Sequence, residues 1–209
     1  WYSLDSGLVF ERNLKLAGLD LAQTLEPRLF YVKIPFRDQS RIPLFDTGLS
    51  DFNHAQIFTE NRFAGGDRFG DANQLTAAVT TRLLGSSSGQ ELLRATIAQR
   101  FYFKNEEVGL TPASELRSFN SSDLLASVGG KISEAGSFDT GYQYNRRLAR
   151  TERFNAAMRY APELAKVVNL GYRFTRDALE QIDISGQWLL RPGWSARRSA
   201  WHKNPVSVV

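Results

Sequence analysis

The stretch AGGDRFGDAN, residues 64–73, is where this sequence comes nearest to carrying chemistry. Its glycines could cradle a phosphate, and Asp67, Asp71 and Asn73 could offer oxygens to a cation. A phosphate loop, however, follows an apolar strand and opens a helix, and this stretch does neither. The oxygens do not follow EF-hand spacing, so an isolated calcium contact is the most they offer. Gly65, Gly66 and Gly70 read instead as residues that permit a tight loop. The two histidines, His54 and His202, are distant in sequence and read as solvated loop side chains rather than metal ligands or triad members. The chain has no Cys, which excludes a disulfide framework and a thiolate zinc site within it. No nucleophile elbow or paired-carboxylate motif stands out. These residues imply no enzyme and no cofactor.

The elements that would position them are strands. Hydrophobicity alternates with a period of two over about nine segments: 3–11, 19–34, 73–84, 92–103, 123–132, 138–145, 152–160, 167–175 and 181–190. In 19–34, Leu25, Leu29 and Tyr31 share one face with Pro27, while Asp20, Thr24, Glu26 and Arg28 share the other. In 73–84, Leu75 and Val79 oppose Gln74, Thr76, Thr80 and Arg82. In 92–103, Ile97 and Phe101 oppose Arg94, Thr96 and Arg100. In 167–175, Leu170 and Tyr172 oppose Asn169 and Arg173. Pro27 argues against a helix over 19–34. It cannot donate to a ladder either, so it marks a bulge, a bend or a missing bond.

The connections alternate as well. Those at about 12–18, 85–91, 133–137 and 161–166 are short, whereas 35–72 and 104–122 are long. Short turns on one side and longer loops on the other are the layout of an outer-membrane barrel. A connection as long as 35–72 also exceeds what a compact soluble domain leaves unstructured. Aromatics make up 12% of the chain and stand near segment ends at Phe10, Tyr31, Phe101, Phe103, Tyr144, Tyr160, Phe174 and Trp188. Interfacial aromatic girdles have that distribution. The longest apolar runs are a few residues, too short for a transmembrane helix. The net charge is +4, but the basic residues are scattered among acids, so no nucleic-acid partner is implied. The pattern alone leaves two alternatives open. One is a porin or uptake barrel; the other is a soluble β-sandwich binding module whose apolar face is its core.

Two stretches carry more than a pattern. LVFERNLKLAGLDLAQTLEPRLFYVKIPFRDQSRIPLFDT at 8–47 and FTENRFAGGDRFGDANQLTAAVTTRLL at 58–84 closely resemble the barrel of the lipopolysaccharide-assembly outer-membrane protein family (LptD, also OstA or Imp). The specific part is QTLEPRLFY, then PFRDQS, then at a distance NRF, GGDRF and ANQ. Its residues here are Glu26, Pro27, Arg28, Arg37, Asp38, Asn61, Arg62, Gly65, Asp67, Arg68, Asn73 and Gln74. The later hairpins, through ISGQWLL, fit more loosely.

The resemblance implies a segment of an antiparallel transmembrane barrel of about 26 strands, preceded in the family by a periplasmic domain. It implies the outer membrane of a Gram-negative bacterium and insertion of lipopolysaccharide into the outer leaflet, by conduction and release rather than catalysis. The implied partners are lipopolysaccharide, a plug lipoprotein (LptE-like) inside the barrel, a periplasmic bridge protein (LptA-like) reached through the N-terminal domain, and outer-membrane lipid. Lumen-facing candidates are Asp20, Thr24, Glu26, Arg28, Gln74, Thr76, Thr80, Arg82, Arg94, Thr96 and Arg100. Lipid-facing candidates are Leu25, Leu29, Tyr31, Leu75, Val79, Ile97, Phe101, Leu170 and Tyr172.

Residues 1–195 are expected to form a partial barrel, an open curved sheet of about nine strands with segments one and nine unpaired on their outer edges. Alone it should neither insert as a stable pore nor transport lipopolysaccharide. The basic, non-alternating residues 196–209 read as an irregular tail foreign to the family's pattern. The opening WYSLDSGLVF reads as a start in mid-protein. The loops at 35–72 and 104–122, with Ser50 and Ser118, are expected outside the cell, and Ser87 in the periplasm.

Overall fold

A computed structural model of the chain describes residues 1–16, 18–50, 52–111, 119–191 and 194–204, with side chains for all of these but 189–198 and 203–204. It is all-β. One sheet has eleven strands. They are β1 (Tyr2–Gly7), β2 (Phe10–Leu16), β3 (Leu19–Ile34), β6 (Ala72–Gly85), β7 (Glu91–Tyr102), β8 (Leu124–Lys131), β9 (Gly136–Asn145), β10 (Arg150–Glu163), β11 (Lys166–Thr175), β12 (Leu179–Arg191) and β13 (Trp194–Asn204). Two short strands, β4 (Gly48–Leu49) and β5 (Phe63–Ala64), pair with each other inside the long connection. Both β1 and β2 pair with β3; from β3 the order follows the chain to β13.

The segments after the first are strands close to their expected bounds, and several run longer because the turns are tighter. The connection placed at 161–166 is only Leu164–Ala165, with Ala165 at φ 59°. The connection placed at 12–18 is mostly strand β2, which ends at Leu16. Gly18 follows at φ 80°, in the left-handed region that glycine enters without penalty.

Segment one, read as a single strand, is two. β1 pairs with β3 from Tyr2↔Lys33 to Gly7↔Arg28, and β2 from Phe10↔Leu25 to Leu16↔Leu19. The break at Leu8–Val9 lies opposite Pro27, which has no N–H to give.

The tail is not irregular over 196–204. β13 pairs with β12 from Arg191↔Trp194 to Glu180↔Asn204, so segment nine has a neighbour on each side. Ladder bonds are made by backbone, and a free strand edge recruits them whatever the side chains. The side-chain pattern misled because it breaks at Trp201 and His202. Trp201 lies opposite Asp183, on the polar face, and is 72% exposed, while His202 lies opposite Ile182 on the apolar face.

The chain divides into two compact units. The first is Trp1–Val9, Glu26–Val79 and Ile97–Leu125, the second Phe10–Leu25, Thr80–Thr96 and Ala126–Val209. The first unit holds two small apolar clusters. Ile57 packs with Ala78, Ala98 and Leu125, flanked by Phe52 and Phe58. Phe30, Val32 and Ile34 pack with Phe58 and Ala72. The second unit is a meander of paired strands.

Candidate functional site: a covered polar face and a bare apolar one

In the first unit the long connection between β3 and β6 folds onto the polar face of the strands. Arg100 fastens it. The residue is 4% exposed, and its guanidinium donates to Thr76 Oγ1 at 3.2 Å, to the carbonyl of Gln56 at 3.2 Å and to that of Ile57. Thr76 Oγ1 donates to the same Ile57 carbonyl at 3.0 Å. Asn53 starts the turn that presents these carbonyls, its Oδ1 accepting from Ala55 N and Gln56 N. Arg28 lies 4.0 Å from the centre of the Phe58 ring, a cation–π contact, and donates Nε to Asp5 at 2.9 Å. A buried guanidinium is tolerated only where its donors are satisfied, and backbone carbonyls of the folded connection satisfy that of Arg100.

The rest of the connection is held by polar and charged side chains, many of them bonded to backbone groups. Asp67 Oδ2 accepts from Phe45 N at 2.7 Å and Asp46 N at 2.8 Å. Gly65, at φ 92°, could not carry a side chain: a Cβ there would come within 2.6 Å of the Asp46 carbonyl. Asn61 donates to the Arg68 carbonyl and accepts from Gly70 N. Arg68 donates to the carbonyls of Gln39 and Ile42. Asp38 accepts from Ser40 N at 2.9 Å. Asp71 ties in the next connection, accepting from Glu107 N and Val108 N at 3.0 and 2.9 Å. Arg62 pairs with Glu106 at 2.6 Å.

The acid-rich stretch 64–73 is therefore a loop lattice. Among the described residues, no cluster of three or more His, Asp or Glu could hold a metal.

Most of the motif residues meet in this lattice: Arg28, Asp38, Asn61, Arg62, Gly65, Asp67 and Arg68. Asn73 sits beside it, accepting from Tyr31 Oη at 2.9 Å. Gln74 is buried, and Glu26 is half-buried. Arg37 is exposed and lines a groove of about 220 Å³ with Asp38, Arg68 and Val108.

The polar candidates nearer the short turns do not enter the lattice. Asp20 pairs with Lys15, and Arg82 and Arg94 both reach Glu91. Thr80 and Thr96 share a hydrogen bond at 3.0 Å. Thr24 is buried, and its carbonyl accepts from Thr81 Oγ1.

The apolar candidates are mostly bare. Leu25, Leu29, Val79, Ile97, Phe101 and Leu170 are exposed; Leu75, Tyr31 and Tyr172 are half-buried. The residues that sequence reasoning missed are Phe30, Val32, Ile34, Ala78 and Leu125, apolar seats for the folded connection. A signal existed. From Phe30 to Ile34 the face that carries Glu26 and Arg28 turns apolar, which means that there it is covered by something other than water.

The family model for LPS transport system D, LptD, matches residues 1–194. The chain belongs to that family. It is 52% identical over 193 residues to the LPS-assembly protein LptD of Aromatoleum aromaticum, covering 92% of this chain and 24% of that protein. It is 49% identical over 201 residues to LptD of an Azoarcus species, covering 92% and 24%. For LptD of Thiobacillus denitrificans the figures are 48% over 193 residues, 92% and 26%. The chain thus spans about a quarter of the length of these relatives.

Proposed function

We propose that this chain forms part of the wall of an outer-membrane β-barrel that assembles lipopolysaccharide at the outer leaflet of a Gram-negative outer membrane. Besides family membership, one observation carries this reading: along β6 and β7 burial is reversed relative to a soluble protein. Thr76 is fully buried and Arg100 nearly so, while Val79 and Ile97 are 46% and 57% exposed. A bare apolar face is a liability in water and a requirement in hydrocarbon, where strands also satisfy one another's backbone groups. The same reversal counts against a soluble sandwich, whose apolar face would be its core.

On this reading the bare residues, from Leu25 to Tyr172, face lipid, and the polar ones, from Asp20 to Arg100, face the lumen. The work is conduction and release, and no bond is made or broken. Sugar would pass along the polar face, and the lipid part would leave through the wall. A plug lipoprotein (LptE-like) would sit against the lumen side. A periplasmic bridge protein (LptA-like) would engage the family's N-terminal domain.

The test is depletion of the complete protein from its host. Surface lipopolysaccharide, counted with an impermeant antibody, should fall and should return with the full-length gene. Unchanged surface lipopolysaccharide would overturn the reading. A loss confined to small-solute uptake would favour the porin alternative.

A further inference from the structure

On the polar face of β9–β12 the strand registers stack three transverse rows. The middle row is Asp139, Ala157, Gly171, Asp183. The row on one side contains Asn155 and Arg173, and the row on the other contains Arg159 and Asn169. Ala157 and Gly171 therefore form a floor ringed by six polar side chains: Asp139, Asn155, Arg173, Asp183, Asn169 and Arg159. These residues line a depression of about 390 Å³.

The ring is chemically balanced. It holds two carboxylates, two guanidiniums and two amides, with the Asp139 carboxylate leaning toward Gly129 of β8. Asp183 is held by Arg173 at 2.9 Å and by Gln181 at 2.5 Å, and Asn169 donates to Ser185 Oγ at 3.2 Å. Asp139 and Arg159 are exposed and, among the described residues, enter no ion pair.

We propose that this depression is a weak binding site for an uncharged sugar unit of a polysaccharide, resting on the reading of this face as lumen. A phosphate would select an arginine cluster, whereas this ring carries no net charge. A sugar hydroxyl both donates and accepts, so carboxylate, amide and guanidinium can each pair with it. The small floor admits a ring close to the sheet. The volume lies near the lower end of the range for small-molecule sites, about 300–1,000 Å³. The site is shallow and open, so its dissociation constant should be on the order of millimolar. A conduit needs that weakness: binding must be favourable enough to enter and weak enough to leave.

The test uses the full-length protein in cells, with p-benzoylphenylalanine in place of Ser185 on the rim or of Ile184 on the opposite face. Two strains are compared, one whose lipopolysaccharide carries a long polysaccharide and one whose lipopolysaccharide lacks it. Light should give a polysaccharide-bearing adduct at Ser185 in the first strain alone, and lipid adducts at Ile184 in both. Ala157→Phe, which fills the floor, should lower the Ser185 adduct about tenfold. If that variant fails to assemble, Arg159→Leu should lower it by a similar factor, about the worth of one charged hydrogen bond. Ser185 adducts only to protein, or none, or adducts indifferent to both variants, would overturn the sugar site while Ile184 still reports lipid. Exchange of the two adduct types would overturn the face reading instead.

Discussion

The backbone N–H of Leu8 donates to the carbonyl of Pro27 at 3.0 Å, and Pro27 has no N–H with which to answer. The registers of β1 and β2 along β3 are the same on either side of this pair. The proline therefore marks one missing ladder bond rather than a bulge. Pro27→Ala should let β1 and β2 fuse. One bond gained is worth about 0.5–1.5 kcal/mol, and the loss of proline's restraint on the unfolded chain costs about 0.4–1 kcal/mol. Stability of the full-length barrel should thus change by less than about 1 kcal/mol, while the new amide at 27 becomes slow to exchange. Fast exchange there would show that the break has another cause.

Arg100 should matter through the connection that it fastens. Arg100→Met leaves the Gln56 and Ile57 carbonyls without their donor, at a cost of about 1–3 kcal/mol. Limited proteolysis of the full-length protein should then cut within 35–71. Arg94→Met, whose side chain is half exposed, should cost no more than about 0.5 kcal/mol and leave the connection resistant. Equal cleavage in the two variants would contradict the fastening role.

The two faces should answer differently to charge. Leu170→Arg should cost roughly 2–4 kcal/mol if its level is near the bilayer midplane, and Asn169→Arg much less. Folded fraction on unboiled gels of the full-length barrel measures this. Thr24→Arg makes a poor lumen control, because Thr24 is buried and a larger side chain would overpack. Equal losses for Leu170→Arg and Asn169→Arg would refute the assignment.

Acid should loosen the connection at Asp67. The N–H groups of Asp46 and Phe45 hold its carboxyl below its ordinary value of 3.8. A lowered folded value means stability present above 3.8 and lost as pH falls through the lowered value. Protease sensitivity at 44–47 should rise only below pH 3.8. Asp67→Asn should flatten that dependence, and an unchanged profile would remove Asp67 from the account.

Sidedness can be read with single cysteines in the full-length protein. Ser50→Cys should react with an impermeant thiol reagent on intact cells, and Ser87→Cys should not. The reverse would invert the topology. Ser118 lies outside the described residues.

Alternation from Leu19 to Leu190 was enough to place the strands and to sort their side chains onto two faces, because side chains point to opposite sides with a period of two wherever a backbone is extended. The QTLEPRLFY and NRFAGGDRF stretches were enough to indicate the family. Alternation could not say which face is buried. Thr76 and Arg100 read as solvated lumen side chains, yet they lie beneath a connection whose fold depends on carbonyls far away in sequence. It could not find β13 either, since a ladder closes through backbone groups that are the same in every residue, and Trp201 and His202 sit on the faces opposite to what their types suggest. Local side-chain period is written in the chain residue by residue. Which surface is covered is decided only when segments as distant as Ile57 and Arg100 meet, because a buried charge is stable only once its partners have arrived.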